Sequence, residues 1–476
     1  MSFLKLFMRD SSIYTIPAIL SRGIAFFLLP LYTRVLTPEN YGAFDLFMAF
    51  GSLVSLTVAL EISQGTARYY VDATNRNEKA LYASTGFWFT IGTYLIFSFL
   101  AYMFSTQLSQ FIMGVAGYEG IFRLGLAYLF ANGLFLFIQG QLRWELKSKD
   151  FAIASMMVTL GTAILAVLLA GVMGMGLAGI LLGMIFGGFL GNIYGLIKLK
   201  DTFKFKFSRK KLKEMLVFSL PLVPASVCVF IGYYADRIMI NHYLSLDEVG
   251  VYGIGFRLAS IVGLIMIGFQ GALTPLILNH YKDPKTPEQI AAIFKFFIAL
   301  ALMMFMGLTL FAQEILIVIS TPLYYPAAKV VIFLVPATLL SCMYIFAPGT
   351  LIAKKTHYNI WIYATAAGMN IVLNIILIPL LGISGAAIAT LLSNVAAFSA
   401  HILISHKFYK IYHNWGKIIG ATVFLTALSS LAFAMPNPSV LFFSIKILVI
   451  FIGIGILFNL KILDFKQLKI MYYGQG

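Results

Sequence analysis

The sequence predicts an all-α polytopic membrane protein with about 14 transmembrane helices. Of its 476 residues, 60% are hydrophobic and 11% are charged, whereas an ordinary soluble domain has about 25% charged residues. Apolar runs of about 20 residues, enough to cross the hydrocarbon layer of a bilayer, recur along the chain. The connections between these runs alternate between basic and nearly uncharged, as in a protein that crosses a membrane repeatedly.

The apolar runs divide the chain into fourteen predicted helices. They lie near 12–36, 41–63, 84–104, 121–140, 151–173, 176–197, 215–240, 249–278, 290–312, 327–352, 358–381, 384–404, 416–434 and 439–460. One set of alternate connections contains 27 of the 34 Lys and Arg residues, and the opposite set contains three. Because positive residues concentrate on the cytoplasmic side, we expect both termini in the cytoplasm and an even number of spans.

A basic segment at 198–213 separates two similar halves. It contains eight Lys or Arg residues and one acidic residue, so we expect it to lie in water at the cytoplasmic surface. Segments 33–42 and 174–180 resemble segments 241–250 and 382–388, and both pairs are separated by 208 positions. Two matches at one offset indicate a parallel repeat. We therefore predict an N-terminal six-helix lobe at 1–200, a cytoplasmic linker at 201–214, a C-terminal six-helix lobe at 215–406, and two extra helices with a cytoplasmic tail at 407–476.

Four cations fall inside predicted spans. Arg22 lies roughly 15 Å from the start of its helix, near the middle of a hydrocarbon layer about 30 Å thick, and Arg257 lies about 12 Å from the start of its own. A charge at such depth costs at least about 2.5 to 3.5 kcal/mol, so it normally faces a bundle interior or an aqueous cavity. We expect Arg22 and Arg257 to bind an anionic substrate. Arg123 and Lys446 lie nearer the outer surface, where they either bind substrate or snorkel.

Three acidic residues, Asp45, Glu61 and Asp236, also belong to predicted spans. They are candidates for coupling transport to an ion. Alternatively, Asp45 and Asp236 are fixed partners of nearby arginines, because buried charges persist when they are paired. Asp247 and Glu248 stand where a helix begins, and helix capping explains them.

Residue patterns typical of catalytic and metal sites are missing from the sequence. The six histidines lie at span ends or in loops without ligand spacing, and both cysteines fall inside apolar runs. We therefore expect a non-enzymatic protein without a metal or cofactor. Nucleic acid is not an expected partner, because membrane orientation explains the net charge of +16.

Three segments carry a family resemblance. They are Ser21-Arg22, Leu31-Tyr-Thr-Arg-Val-Leu-Thr-Pro-Glu-Asn-Tyr-Gly42 and Gly382-Ile-Ser-Gly-Ala-Ala-Ile-Ala389. Through these segments and the six-plus-six-plus-two arrangement of helices, the chain resembles the polysaccharide or O-antigen flippases (Wzx-like). The resemblance covers essentially the whole chain. These flippases belong to the multidrug, oligosaccharidyl-lipid and polysaccharide exporter superfamily.

This resemblance implies a function as well as a fold. It implies two lobes around a V-shaped central cavity, with helices thirteen and fourteen packed beside it. The implied substrate is an undecaprenyl-diphosphate-linked oligosaccharide, moved by alternating access from the inner to the outer leaflet of the bacterial cytoplasmic membrane. Membrane lipids and other polysaccharide-assembly proteins are implied partners. The basic cavity residues of the family carry over to Arg22, and less directly to Arg257 and Arg123.

Two other functions compete with flipping. A multidrug exporter of the same superfamily would need acidic groups to dominate its cavity, because arginine repels organic cations. A membrane glycosyltransferase or polymerase would need catalytic groups on substantial outer loops, and the outer loops here are short. An excess of deep cations over deep anions favours a flippase that binds a diphosphate.

Overall fold

A computed structural model describes residues 23–431 and 439–462, apart from 25, 265, 267, 268, 271, 272, 274–276, 278, 279, 354, 356 and 461. These described residues form α-helices with short 3-10 and π-helical turns, and they contain no β-strand. The chain divides into two compact units, Met1–Gly250 and Val251–Gly476.

The described part of the first unit contains ten helices and the start of another. They are α1 (Leu29–Val35), α2 (Pro38–Thr57), α3 (Ile62–Asp72), α4 (Arg76–Met103), α5 (Ser105–Met113), α6 (Glu119–Trp144), α7 (Ser148–Ala166), α8 (Gly176–Lys198), α9 (Arg209–Ser219), α10 (Leu222–Tyr243) and α11 (Leu246–Ser260). A π-helical turn at Val167–Val172 extends α7, and α11 continues past the boundary at Gly250.

The second unit adds a further series of helices. They are α12 (Thr286–Leu310), α13 (Ala312–Ile319), α14 (Ala328–Cys342), α15 (Gly349–Ile352), α16 (His357–Leu381), α17 (Ile383–Phe408), α18 (Trp415–Ser429) and α19 (Val440–Asn459). Two 3-10 turns, Pro322–Ala327 and Met343–Phe346, flank α14.

The described helices match the predicted spans closely. Ten helical stretches are long and apolar enough to cross a membrane, and the bent helix α10 makes an eleventh if its two parts form one span. They correspond to predicted helices two to seven, nine to twelve, and fourteen. The thirteenth is α18, with 15 residues, and the first and eighth extend over residues outside the described part. The all-helical, polytopic prediction is confirmed, and the count of fourteen stays a prediction.

The second predicted span contains a break that the sequence does not reveal. Helix α2 ends at Thr57 and α3 begins at Ile62. Between them, Leu60 and Glu61 adopt left-handed backbone angles, with φ of 50° and 53°. Such a conformation costs a non-glycine residue about 1–3 kcal/mol. The prediction of one continuous helix over 41–63 is wrong at its end, because apolar periodicity carries no signal for left-handed residues.

Glycines at four-residue spacing bring α7 and α8 together. A Cβ on Gly179, Gly183 or Gly187 of α8 would run into the backbone of α7 or of the π-helical turn that follows it. A ridge of small residues lets two membrane helices approach closely enough for their backbones to touch. The apolar run at 176–197 therefore forms a tight hairpin with the helix before it.

Two glycines related by the repeat offset both have a positive φ angle. Gly174 precedes α8 with φ of 68°, and Gly382 precedes α17 with φ of 62°. Glycine adopts such angles at little cost because it lacks a Cβ. The two matching segments at 174–180 and 382–388 therefore each begin with a glycine at positive φ.

The first turns of α2 and α11 also correspond at this offset. Thr37 Oγ1 accepts a hydrogen bond from the Asn40 backbone N–H at 3.2 Å. Ser245 Oγ accepts one from the Glu248 backbone N–H at 3.3 Å. Both hydroxyls cap a helix, each beside acidic residues in the first turn. Asp247 and Glu248 lie in the first turn of a helix, as expected, but the hydroxyl that caps this helix belongs to Ser245.

These two helix starts cross at a pair of glycines. A Cβ on Gly42 would overlap the Leu246 carbonyl oxygen, and a Cβ on Gly250 would overlap the Pro38 carbonyl oxygen. Gly42 and Gly250 are 208 positions apart, as are Pro38 and Leu246. The crossing is therefore reciprocal, because each helix presents its glycine to the first residue of the other helix.

The basic linker is packed against the first unit. Phe203 stacks on Phe87 of α4 with ring centroids 4.4 Å apart, and Trp88 Nε1 donates a hydrogen bond to the Lys204 carbonyl oxygen at 2.9 Å. Phe203 is half-buried, whereas Phe205 and Phe207 are 94% and 50% exposed. The segment therefore lies at the protein surface with one aromatic side chain packed inward, and its location in water on the cytoplasmic side stays a prediction.

One linker cation belongs to a hydrogen-bonded network. Lys211 Nζ donates to Glu78 Oε1 at 2.7 Å and to the Tyr82 hydroxyl at 2.8 Å, and that hydroxyl donates to Glu214 Oε2 at 2.6 Å. The hydrogen bond to Glu78 raises the pKa of Lys211, and the one from Tyr82 lowers the pKa of Glu214. The network ties α9 to the start of α4.

We predict that Gly42→Ala destabilises the protein, because the new methyl group must push the Leu246 backbone away. Overpacking of this kind costs about 1–3 kcal/mol. Gly92→Ala in α4 is the matched control, since nothing lies within 4 Å of its Cβ position and alanine favours a helix by about 1 kcal/mol. Thermal unfolding in detergent should show a lower melting temperature for Gly42→Ala alone. Equal melting temperatures would contradict the close crossing.

Candidate substrate-binding site

The structure describes one of the two arginines that are predicted to lie deep in the membrane. Arg22 lies outside the described residues. Arg257 lies in α11, half-buried, about 16 Å along the helix from Leu246. Arg257 is helical, as expected, and its depth in the membrane and substrate binding by both arginines stay predictions.

Asp45 forms a buried ion pair. Its Oδ2 lies 2.6 Å from Arg237 Nε, and the two side chains are 9% and 3% exposed. Arg237 also donates to the Tyr233 carbonyl oxygen at 2.9 Å and lies over the Tyr234 ring, 5.2 Å from its centroid. The geometry favours a fixed charge partner over a coupling group for Asp45, because a fully desolvated carboxylate persists when it is paired.

Glu61 and Asp236 occupy different surroundings. Glu61, in the left-handed break after α2, accepts a hydrogen bond from Ser226 Oγ at 2.7 Å. This contact joins the end of the second predicted span to α10. Asp236 is buried in α10 next to Arg237. A coupling role for Glu61 or Asp236 stays a prediction.

Lys446 is buried and paired, so it does not snorkel to the membrane surface. Its Nζ lies 2.6 Å from Glu314 Oε1, and the Lys446 side chain is 2% exposed. The ammonium also lies 6.0 Å from the centroid of the Phe311 ring. The pair joins α19 to α13, which favours a structural role for Lys446, and its predicted contact with substrate stays untested.

Arg123 lies on the surface of the first unit. Its Nε donates to Ser105 Oγ at 2.8 Å, and its guanidinium lies 5.2 Å from the centroid of the Tyr102 ring. The side chain is exposed, as expected for a cation near a span end. It is not brought together with Asp45, Glu61 or Arg237.

Tyrosines missed by the sequence reasoning line the interior of the first unit. Tyr128 of α6 lies within electrostatic range of Tyr32, Tyr94 and Tyr234, and the Tyr234 hydroxyl accepts a hydrogen bond from Ser52 Oγ at 3.1 Å. Hydroxyls in an apolar bundle supply hydrogen bonds without charge. The recurrence of Tyr within predicted spans could have pointed to these residues, but most tyrosines in such spans are explained by packing alone.

A second polar cluster missed by sequence reasoning lies in the second unit. Asn374 donates to Asn370 Oδ1 at 3.0 Å, and Asn370 donates to Thr390 Oγ1 at 3.4 Å. The cluster links α16 to α17. Two amides one turn apart in an apolar run are the sequence signal that points to it.

The described residues offer no group of three or more His, Cys, Asp or Glu side chains able to hold a metal ion. The described helices instead contain buried ion pairs and hydrogen-bonded hydroxyl groups. Glu314 is the partner that sequence reasoning missed, because it lies 132 positions from Lys446 and no spacing rule connects them.

We predict that Arg237→Gln destabilises the protein by about 3–5 kcal/mol, because Asp45 is left buried without its cation. Adding Asp45→Asn should restore much of the loss. The control is Arg68→Gln, whose partner Asp72 forms an exposed pair of the kind worth about 0–1 kcal/mol. If Asp45→Asn alone keeps the melting temperature but abolishes transport, Asp45 is a coupling group and the structural assignment fails.

The sequence is similar to proteins of polysaccharide and glycan biosynthesis. A sequence profile described as "Polysaccharide biosynthesis protein" matches residues 31–329. A Haemophilus influenzae protein named for the Lsg locus is 26% identical over 291 residues, covering 59% of this chain and 68% of that protein. The succinoglycan biosynthesis transport protein ExoT of Rhizobium meliloti is 25% identical over 313 residues, with 62% and 59% covered. The probable low-salt glycan biosynthesis flippase of Haloferax volcanii is 24% identical over 236 residues, with 48% and 49% covered.

Solved structures share the fold. The lipid II flippase MurJ in an inward closed conformation aligns with a TM-score of 0.76 and 16% identity, covering 96% of this chain and 99% of that one. An inward-facing multidrug resistance MATE family transporter of the MOP superfamily aligns with a TM-score of 0.65 and 17% identity, covering 83% and 94%. The profile match spans more than half of the sequence, and the chain therefore belongs to the polysaccharide biosynthesis protein family, with a fold like those of MurJ and MATE transporters.

Proposed function

We propose that this protein flips an undecaprenyl-diphosphate-linked oligosaccharide from the inner to the outer leaflet of the bacterial cytoplasmic membrane for polysaccharide biosynthesis. It does so as a transporter rather than an enzyme, by alternating access. Membrane lipids surround it, and other polysaccharide-assembly proteins supply and use its substrate.

The observation that carries this proposal is the pairing of two acidic side chains with buried cations. Asp45 and Glu314 are each neutralised by a buried cation, Arg237 and Lys446 respectively. These carboxylates are therefore not available to attract a cationic drug. The sequence supplies Arg22 and Arg257 at depth in addition, and arginine suits a diphosphate because its planar guanidinium binds phosphate oxygens through two parallel hydrogen bonds.

Relatives support the class of substrate. The succinoglycan transport protein and the Haloferax glycan flippase are named for glycan biosynthesis, and MurJ is named for flipping lipid II. A lipid-linked oligosaccharide has both a glycan, as in the first two names, and a lipid carrier, as in the third. The alternative function is drug export, because the fold also resembles that of a multidrug resistance transporter.

The proposed arrangement has fourteen helices, with both termini and the basic linker in the cytoplasm. Two six-helix lobes at 1–200 and 215–406 follow from the 208-position repeat, and the concentration of Lys and Arg in alternate connections gives the orientation. The positive φ angles at both Gly174 and Gly382 support the duplication.

Membrane potential favours the proposed direction of transport. With the cytoplasm negative, moving each negative charge outward is favourable by about 2.3 kcal/mol per 100 mV. A diphosphate carries two such charges, so export gains from the potential even when no ion is bound. A coupling ion is compatible with this scheme but is not required by it.

We predict that Arg257→Ala and Arg22→Ala each abolish polysaccharide export while the protein remains in the membrane. Removing a charged hydrogen bond costs about 1.5–3 kcal/mol, which corresponds to about tenfold or more in binding. Lysine at either position keeps the charge but loses the planar fork, so it should retain partial activity. The measurement is export by cells whose own flippase gene is deleted, with membrane abundance quantified.

Arg209→Ala is the matched control, because Arg209 is an exposed linker cation and should leave export unchanged. Full export by the double variant Arg22→Ala with Arg257→Ala, at normal abundance, would overturn the proposed anion site. Equal loss in the Lys and Ala variants would show that charge alone is insufficient and would assign the effect to arginine geometry or packing.

A further inference from the structure

An apolar groove of about 410 Å³ lies on the first unit between α4, α6 and α8. Its walls include Leu95, Phe99 and Tyr102 from α4, Phe130 from α6 and Phe189 from α8. The volume falls within the range of about 300–1,000 Å³ that is typical of small-molecule sites. The proposed transport function does not use this groove.

A single cation marks one end of the groove. Arg123 lines it, about 6 Å from the start of α6 at Glu119, which is the level where a span meets the membrane surface. Ser105 Oγ accepts a hydrogen bond from its Nε, which leaves the terminal nitrogens of the guanidinium to other acceptors. Among the described residues no carboxylate forms an ion pair with Arg123, and this includes Glu119 one turn away.

The rest of the groove is apolar and open to the side. Leu95, Phe99 and Tyr102 are 53%, 64% and 55% exposed, so these walls face away from the packed interior of the unit. Both α4 and α6 belong to candidate membrane spans. From Arg123 to Phe130 the groove runs about 10 Å along the helix axis, from the level of the membrane surface toward the bilayer centre.

We propose that this groove binds an anionic phospholipid of the surrounding bilayer. The lipid phosphate meets Arg123, and one acyl chain lies along Phe99, Leu95 and Phe130. Charge complementarity selects an anionic headgroup, because the added ammonium of a zwitterionic headgroup is repelled by the guanidinium. The groove is shorter than one leaflet of hydrocarbon, about 15 Å deep, so it suits an acyl chain that stays in one leaflet rather than a much longer polyprenyl chain.

The test is native mass spectrometry of the full-length protein titrated with phosphatidylglycerol or phosphatidylcholine. The wild-type protein should bind the first phosphatidylglycerol about fivefold more tightly than phosphatidylcholine, which corresponds to ~1 kcal/mol for one cation near a membrane surface. Arg123→Gln should remove this preference. Ala127→Trp, which fills the groove from α6, should weaken binding of both lipids.

Arg143→Gln is the matched control. Arg143 stands at the other end of α6, is exposed and also lies over an aromatic ring, 5.2 Å from the centroid of Phe151, but it does not line the groove. It should keep the phosphatidylglycerol preference. An unchanged preference in Arg123→Gln, or unchanged binding in folded Ala127→Trp, would overturn the site. Displacement of phosphatidylglycerol by equimolar polyprenyl phosphate would overturn the assignment to a bilayer phospholipid.

Discussion

The contact on which the first unit depends is the glycine crossing between the starts of α2 and α11. Gly42 and Gly250 each lie against a backbone carbonyl oxygen of the other helix, so neither position has room for a side chain. One turn further along α2, Asp45 pairs with Arg237 of α10. The crossing and the ion pair together fix α2 against two helices that follow the linker, about two hundred residues later in the chain. The long-range architecture therefore rests on close backbone packing reinforced by one desolvated charge pair.

Charge pairing explains how the helices tolerate two largely buried acidic residues. A lone carboxylate in such surroundings is strongly unfavourable, and both Asp45 and Glu314 have a buried cation within 2.6 Å. In the proposed function, Arg22 and Arg257 supply the positive charge that a phosphorylated substrate needs, and the pairing of Asp45 and Glu314 removes two groups that would attract an organic cation.

Much of the fold is predictable from the sequence because membrane spans have a strong signal. Apolar length and alternating charge locate the helices, and short repeated segments at 33–42 and 241–250 mark two starts that correspond in the structure. The capping at Glu248 is predictable for the same reason, since it depends on neighbouring residues. These features are local or are repeated along the chain.

The remaining features depend on partners that sequence spacing does not reveal. Glu314 and Lys446 form an ion pair although they are 132 positions apart in the sequence. The left-handed backbone at Leu60 and Glu61 involves no glycine, so the sequence does not indicate it. Phe203 and Phe205 of the linker are indistinguishable in the sequence, yet Phe203 stacks on Phe87 and Phe205 is 94% exposed. Pairing also changes the interpretation of Lys446, because depth alone suggests a substrate contact and burial against Glu314 favours a structural one.

The central claim is that the protein moves a lipid-linked oligosaccharide across the bilayer. The most direct measurement is flipping of a labelled undecaprenyl-diphosphate oligosaccharide by the purified protein in proteoliposomes, with and without an imposed membrane potential. The account predicts flipping that accelerates when the potential drives negative charge outward, and that is lost in Arg257→Ala. Extrusion of cationic dyes without flipping of the labelled lipid would contradict it.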